Sequence, residues 1–342
     1  MARPTIADLA KAAEVSISTV NRILGGAGNV RSETIVLVRD AAQRIGFYGL
    51  GAIESRLGVT RPACRLGVLL QQPSRTFYRL LAQNLRAAAE RIKESDIALE
   101  IVFQDELAPQ KIAERMLELG ERCDSIAVVA AVHPLVTQAL ETLRRKGVAV
   151  FGLISQLSAT GNMHYVGLDN WKVGRTAAWA IHRFSSAPGK LGIFVGNHRY
   201  RCQDMNESGF RSYFREYAPG FTLLEPVSTF ESGAVAEEML EGLLRAHPDL
   251  TGLYVAGGGI SGALTALRAG GWGGKFTVIA HELMDNTRAA LLDGTVSLVL
   301  SHPLERMCEE LLRAMIRAAD DKSESRTHTL ILPFDIYTRE NI

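Results

Sequence analysis

The chain has 342 residues, 47% of them hydrophobic and 22% charged, which is too long for a single core and apolar enough to fill two or three. A formal net charge of +1 excludes the strongly basic and strongly acidic classes, and the four cysteines, Cys64, Cys123, Cys202 and Cys308, have no C-x-x-C spacing, which argues against a zinc site and a disulfide framework. No apolar run reaches the ~18 residues of a membrane span and no basic-then-apolar leader opens the chain, so the expectation is a soluble protein of a reducing cytoplasm without a membrane partner.

Between Thr5 and Ile45 three short helical patterns follow one another. Thr5 is a good N-cap, with Asp8 three residues on to return a hydrogen bond to it, and Ile6, Leu9, Ala10 and Ala13 share one face. The turn Glu14-Val15 leads to Ser16, a second N-cap. In the helix that Ser16 opens, Val20 and Ile23 form the buried stripe while Ile17, Ser18, Asn21 and Arg22 stay outside, and polar residues at a helix N-terminus suit the major groove of DNA. A third pattern, with Ile35, Val38, Ala41, Ala42 and Ile45 apolar, closes a small trihelical core, and Gly46 stands where a C-cap glycine belongs. Helices of this length and spacing predict a helix-turn-helix domain over residues 1–48; periodicity alone is equally compatible with a helical packing arm. Residues 1–62 hold eight basic and five acidic side chains, a balance of +3 that leaves −2 for the rest. So modest an asymmetry makes nucleic-acid binding depend on the motif rather than on bulk charge.

After a linker over 49–63, the chain alternates strand and helix. Apolar runs at Leu66 to Leu70, Leu99 to Phe103, Ser125 to Ala130 and Val148 to Ile154 are separated by amphipathic helices near 77–94, 109–121 and 134–146, a succession that predicts a parallel sheet covered on both faces. A second series runs from His164 to Leu168 through Leu191 to Val195, Leu223 to Val227, Leu253 to Ala256, Phe276 to Ala280 and Val296 to Leu300, with helices such as 171–184 and 233–245 between. Two Rossmann-like halves of this kind enclose a cleft.

Residues 2–45 resemble the DNA-binding domain of the lac repressor family. The pattern T-x-x-D-[VL]-A-x-x-A-x-V-S-x-x-T-V-x-R-[VI]-L stands here as Thr5, Asp8, Leu9, Ala10, Ala13, Val15, Ser16, Thr19, Val20, Arg22, Ile23 and Leu24. The resemblance implies that Ile17, Ser18 and Arg22 read base edges, Arg22 being suited to guanine, and that Thr5, Ser16, Thr19, Asn21 and Thr34 hold phosphates. Three positions depart from it. Glu14 replaces the usual turn glycine, at a cost of roughly 1 kcal/mol if the backbone there needs a positive φ; Gly25 replaces an asparagine; Arg31 replaces a serine, and its charge can take over the phosphate contact. In the family's hinge, P-N-x-x-A-x-x-L, a short helix pushes a leucine into the minor groove. Here Gly49, Leu50, Ile53 and Arg56 fill the four fixed positions, which leaves Ile53 or Leu57 as the wedge, or a plain linker.

Residues 64–342 resemble the effector-binding domain of the same family, itself similar to periplasmic sugar-binding proteins. The motifs are Leu66-Gly67-Val68-Leu69-Leu70 with Phe77, Val166-Gly167-Leu168-Asp169-Asn170 with Gly174-Arg175, Gly209-Phe210-Arg211, Val278-Ile279-Ala280-His281-Glu282, and Leu332-Pro333-Phe334 through Arg339-Glu340. This resemblance implies an α/β fold of two parallel-sheet subdomains, 64–158 with 295–321 and 162–292 with 326–342, joined by three crossovers near 156–163, 292–296 and 321–327. It implies a polyol site in which Asp169 is the acidic ligand, Glu282 replaces an aspartate and Phe77 is the aromatic wall. Gln72 and Arg75 lie after the first strand, Asn206 stands where many members have an arginine, Gly257-Gly258 replace Asn-Asp, and His281 and His133 sit at strand ends. His281-Glu282 lacks the second histidine of H-E-x-x-H and Gly259-Ile260-Ser261-Gly262 does not centre a serine as G-x-S-x-G does, so no enzyme, metal or cofactor is implied. The expectation is a homodimeric repressor that grips a near-palindromic double-stranded operator and answers to a small sugar; the alternative is a sugar-binding sensory module whose head contacts protein.

Overall fold

A computed structural model describes residues 4–26, 30–56, 63–159, 163–320 and 327–342. The chain divides into two compact units, one of Met1–Ala63 with Glu94–Asp96, which contains the head, and a body of Cys64–Lys93 and Ile97–Ile342.

The head is built from α1 (Ile6–Ala12), α2 (Ile17–Gly25), α3 (Ser32–Ile45) and α4 (Leu50–Arg56). Thr5 caps α1 in the reciprocal arrangement expected: Asp8 N–H donates to Thr5 Oγ1 and Thr5 N–H donates to Asp8 Oδ2 at 2.9 Å. These bonds hold the Asp8 carboxyl below the usual range, the Thr5 hydroxyl being the largest cause. Glu14 does take a left-handed conformation, φ 55°, and Gly46 ends α3 at φ 67°. Leu9, Val20, Ile23, Val38 and Ala41 close the core as predicted, but Phe47 and Ile53 join them. Ile53 is 0% exposed. Ile53, one of the two minor-groove wedge candidates, is thus a core side chain of the head here, because a seven-residue helix is stable only when its apolar face is packed. Leu57, the other wedge candidate, lies outside the described residues.

The body's first lobe contains β1 (Ala63–Gln71), α5 (Thr76–Arg91), β2 (Asp96–Gln104), α6 (Pro109–Gly120), β3 (Ser125–Val128), α7 (Pro134–Arg145), β4 (Ala149–Leu153) and β5 (His164–Leu168). The second holds α8 (Asn170–Phe184), β6 (Lys190–Val195), α9 (Arg201–Tyr217), the short β7 (Thr222–Leu223) and β8 (Val227–Ser228), α10 (Gly233–Ala246), β9 (Leu250–Val255), α11 (Ile260–Ala269), β10 (Thr277–His281), α12 (Asp285–Leu292) and β11 (Leu298–Ser301). The chain then returns to the first lobe as α13 (Leu304–Asp320), which packs on α5, and β12 (Thr329–Leu332), and ends with β13 (Asp335–Tyr337) in the second.

The strand orders are β12-β5-β4-β3-β1-β2 and β13-β11-β10-β9-β6-β7, with β8 also beside β6. This pairing corrects the expected subdomain limits. β5, expected to open the second half, pairs in parallel with β4 (Phe151 opposite His164) and with β12 (Leu330 opposite Val166). β11, expected in the first half, lies beside β10 (Ile279 opposite Leu298) and antiparallel to β13. The lobes are therefore crossed at Asp169, at His302-Pro303 and at Pro333-Phe334, not near 156–163, 292–296 and 321–327. The physical reason is that both runs are continuously buried, and a fully buried strand carries no face pattern to say which sheet it joins. All four cysteines are buried and free. Among the described residues no helix is long and apolar enough to cross a membrane.

Candidate nucleic-acid interface and interlobe cleft

On the head, α2 presents the expected outer face. Ser16 Oγ accepts from Thr19 N–H at 3.1 Å and lies 2.8 Å from both Ser18 Oγ and Thr19 Oγ1, so the first turn of α2 is tied before any partner arrives. Ile17, Ser18, Asn21 and Arg22 are exposed, Ile17 at 52%, while Val20 and Ile23 are buried beneath them. Thr5, Ile17 and Asn21 share one hollow with Tyr48, a neighbour that the motif does not mark. Arg31 is exposed just before α3, and Thr34 is half-buried in its first turn. Backbone N–H groups and hydroxyls at helix N-termini are the groups that receive phosphate oxygens.

In the body, each strand order reverses once: between β1 and β3 in the first lobe, between β6 and β9 in the second. Side chains at the carboxyl ends of strands flanking such a reversal face a crevice. Both crevices open into the same cleft, a cavity of about 110 Å³. Arg75, Phe77, Asn206, His281 and Glu282 line it, as expected. Three expected residues do not. Asp169 is the N-cap of α8, its Oδ1 accepting from Lys172 N–H at 3.2 Å; an acid at this junction satisfies the helix's free N–H groups. The neighbouring Asn170 lines the cleft instead. His133 caps α7 through Nδ1, which accepts from Leu135 N–H at 3.2 Å. Gln72 follows the β2 side, donating its backbone N–H to Gln104 O and its amide to Asp105 O.

The lobes touch through polar groups that the motifs did not reveal. Arg75 Nη1 meets Glu231 Oε2 at 2.5 Å, and Gln203 Nε2 donates to Glu231 Oε1 at 2.6 Å. Gln71 Nε2, at the end of β1, donates to Tyr200 Oη at 2.5 Å, and Tyr78 Oη donates back to Gln71 Oε1 at 3.0 Å. Val132 N–H bonds Arg199 O across the same gap at 2.8 Å. Burial weakens the Arg75 charge, but Glu231 outweighs it and keeps the guanidinium firmly protonated. Gly258 makes this bridge possible: a Cβ there would occupy the space of the Glu231 carboxylate and the Arg75 guanidinium. Asn206 reaches the cleft by a comparable close approach, since α8 crosses α9 where Gly174 faces the Asn206 carbonyl and a methyl would overlap it.

On the opposite wall, Glu282 has φ 66°, a left-handed backbone that turns its carboxylate toward the β11 strand end. Its Oε1 is 2.6 Å from His302 Nδ1 and its Oε2 accepts from Ser301 Oγ and His302 N–H, both at 3.2 Å. Burial would raise the Glu282 carboxyl; His302 and these bonds prevail and hold it below the usual range. His281 donates to or accepts from Tyr254 Oη at 2.8 Å, and burial pushes it down to about 4. Phe77 faces His302 with ring centres 6.1 Å apart.

Residues 66–323 match the family described as periplasmic binding protein domain, and residues 5–49 match the bacterial regulatory proteins of the lacI family. The chain belongs to the periplasmic binding protein domain family, and its head is similar to the lacI-family regulatory proteins. Among similar proteins is catabolite control protein A of Priestia megaterium, 27% identical over 165 residues, a match that spans 48% of this chain and 47% of that one; the likeness thus covers about half the length of the curated relative. Solved structures share the body's fold. An ABC transporter solute binding protein of Burkholderia graminis C4D1M in complex with D-arabinose superposes with a TM-score of 0.74 at 19% identity, over 81% of this chain and 96% of that one. A protein of Bacteroides fragilis described as a LacI transcriptional regulator gives 0.72 at 19% identity, over 82% and 98%. In this chain the Glu231 bridge and the Glu282–His302 pair furnish the cleft.

Proposed function

We propose that this chain is a sequence-specific transcriptional regulator, a repressor, whose operator affinity is set by a small sugar or sugar-like ligand between the lobes of its body. The observation that carries the reading is the joining of a lacI-family head, whose α2 exposes Ile17, Ser18 and Arg22 over a buried stripe, to a body whose two strand reversals converge on one cleft with polar groups set in a largely apolar wall. A single small head covers few base pairs, so two copies of the chain act together on a near-palindromic site in the cytoplasm. Ligand changes the balance between lobe arrangements by binding one of them better. The role is binding rather than catalysis.

The experiment is selection of duplexes by the full chain, followed by titration of the selected operator with and without sugars. Arg22→Ala is expected to cost about 1–3 kcal/mol per contacted guanine and to relax preference at that base pair. Unchanged affinity and preference would remove α2 from the interface. In contrast to a role as ligand, the capping geometry of Asp169 predicts that Asp169→Asn leaves the sugar response in place.

A further inference from the structure

The cleft contains two acceptors that nothing in the protein satisfies. Of the four buried side-chain polar atoms without a hydrogen-bond partner among the described residues, Asn206 Oδ1 and His302 Nε2 both belong to residues lining this cavity. Their side chains are almost wholly buried: Asn206 is 3% exposed and His302 7%. Buried polar groups in native proteins are nearly always paired, so two orphans on residues that line one cavity mark the place of a missing partner. The donor and acceptor roles are fixed by what each residue already does. Asn206 Nδ2 points to Ala256 O at 3.4 Å, which leaves Oδ1, an atom that only accepts. Glu282 is a carboxylate and also only accepts, so His302 Nδ1 carries a proton toward it; the tautomer with its single proton there offers a lone pair at Nε2.

Charge narrows the ligand further. Among the described residues that line the cleft, Arg75 is the only lysine or arginine, and Glu231 holds it. An anionic ligand could recruit Arg75 only by leaving the buried Glu231 carboxylate without its cation, with Gln203 alone to hold it, and it would still meet Glu282. Size narrows it again: about 110 Å³ is far below the roughly 300 Å³ at which pockets begin to hold drug-sized molecules. Phe77 supplies the apolar face against which the carbon side of a small ring rests.

We infer that the effector is an uncharged polyol of monosaccharide size that donates hydroxyl protons to Asn206 Oδ1 and His302 Nε2, and that the cleft rejects its phosphorylated and acidic counterparts. This rests on the reading of the cleft as the effector site.

The test is calorimetric titration of the full chain with neutral monosaccharides and sugar alcohols, each set beside its uronic acid and its phosphate ester. At least one neutral member is expected to bind, with its two anionic relatives at least ten times weaker. An anionic member that binds as tightly as its neutral parent overturns the inference and leaves the regulator reading standing; no binding by any member of either series removes both. With the sugar so identified, His302→Phe and Asn206→Leu are each expected to weaken it at least tenfold. His302→Gln retains an acceptor toward the cleft and a donor toward Glu282, and is expected to stay within a few-fold of the parent. If His302→Gln loses as much as His302→Phe while melting like the parent, the acceptor role of His302 is wrong.

Discussion

Glu14 holds a backbone conformation, φ 55°, that glycine adopts freely and glutamate does not. Glu14→Gly is therefore expected to stabilise the head by about 1 kcal/mol, read as a rise in its unfolding midpoint; an unchanged or lowered midpoint would show that the turn is not strained. His281 gives a second residue-scale expectation. Its ordinary value near 6.5 falls to about 4 in the folded chain, so between these values the unfolded chain binds the extra proton and the folded one does not. Its contribution is complete above 6.5 and declines as pH falls toward 4, by up to about 1.4 kcal/mol per pH unit. His164, pushed by burial to about 4 beside His328, adds to the same slope. Urea unfolding of the full chain at about pH 7 and about pH 5 measures the sum, and His281→Gln should remove part of the difference. At this scale sequence patterns are ambiguous where one residue type serves two purposes. Asp169 ends a strand beside a cleft, which is equally the description of a sugar ligand and of a helix cap; only the direction of its carboxylate, toward Lys172 N–H, decides.

Among the elements, those built from neighbours in sequence were legible before the structure. Thr5 with Asp8, Ser16 with Thr19, and Gly46 define the ends of α1, α2 and α3 through bonds that span only a few residues. The sheets were legible as strands but not as partners, because β5 and β12 are brought together from positions more than 150 residues apart. Glu231 was missed for a related reason. It follows a two-residue strand with no pattern of its own, and its left-handed backbone, φ 62°, cannot be read from a Phe-Glu-Ser run. Helix α4 is the element whose role changed most. If it is part of the head's core, Ile53→Ala leaves a cavity and costs about 2–4 kcal/mol; if it is only a connector, the cost is near zero. Thermal unfolding of the full chain, followed through the head's exchange-protected amides, separates the two.

For the whole molecule, the two lobes are held against each other by the protein's own groups, among them the Arg75–Glu231 pair, whose acid is 6% exposed in its side chain. Removing one member of a buried pair typically costs about 3–5 kcal/mol. Glu231→Ala is expected to lose stability on the order of 3 kcal/mol, at the lower end because Arg75 keeps some contact with solvent, and to widen the ligand-free body in small-angle scattering. An unaltered scattering curve would mean that the Gln71–Tyr200 and Val132–Arg199 contacts suffice to keep the lobes together.

The second crossover carries a particular consequence. His302, whose ring faces the cleft, stands only two residues before α13, and a helix of 17 residues is a stiff rod of roughly 25 Å. At its other end Asp320 lies close enough to Cys64, the first residue of the body, to bear on that thiol's ionisation. If a guest pulls on the imidazole, the pull acts at one end of a rod whose far tip lies beside the first residue of the body.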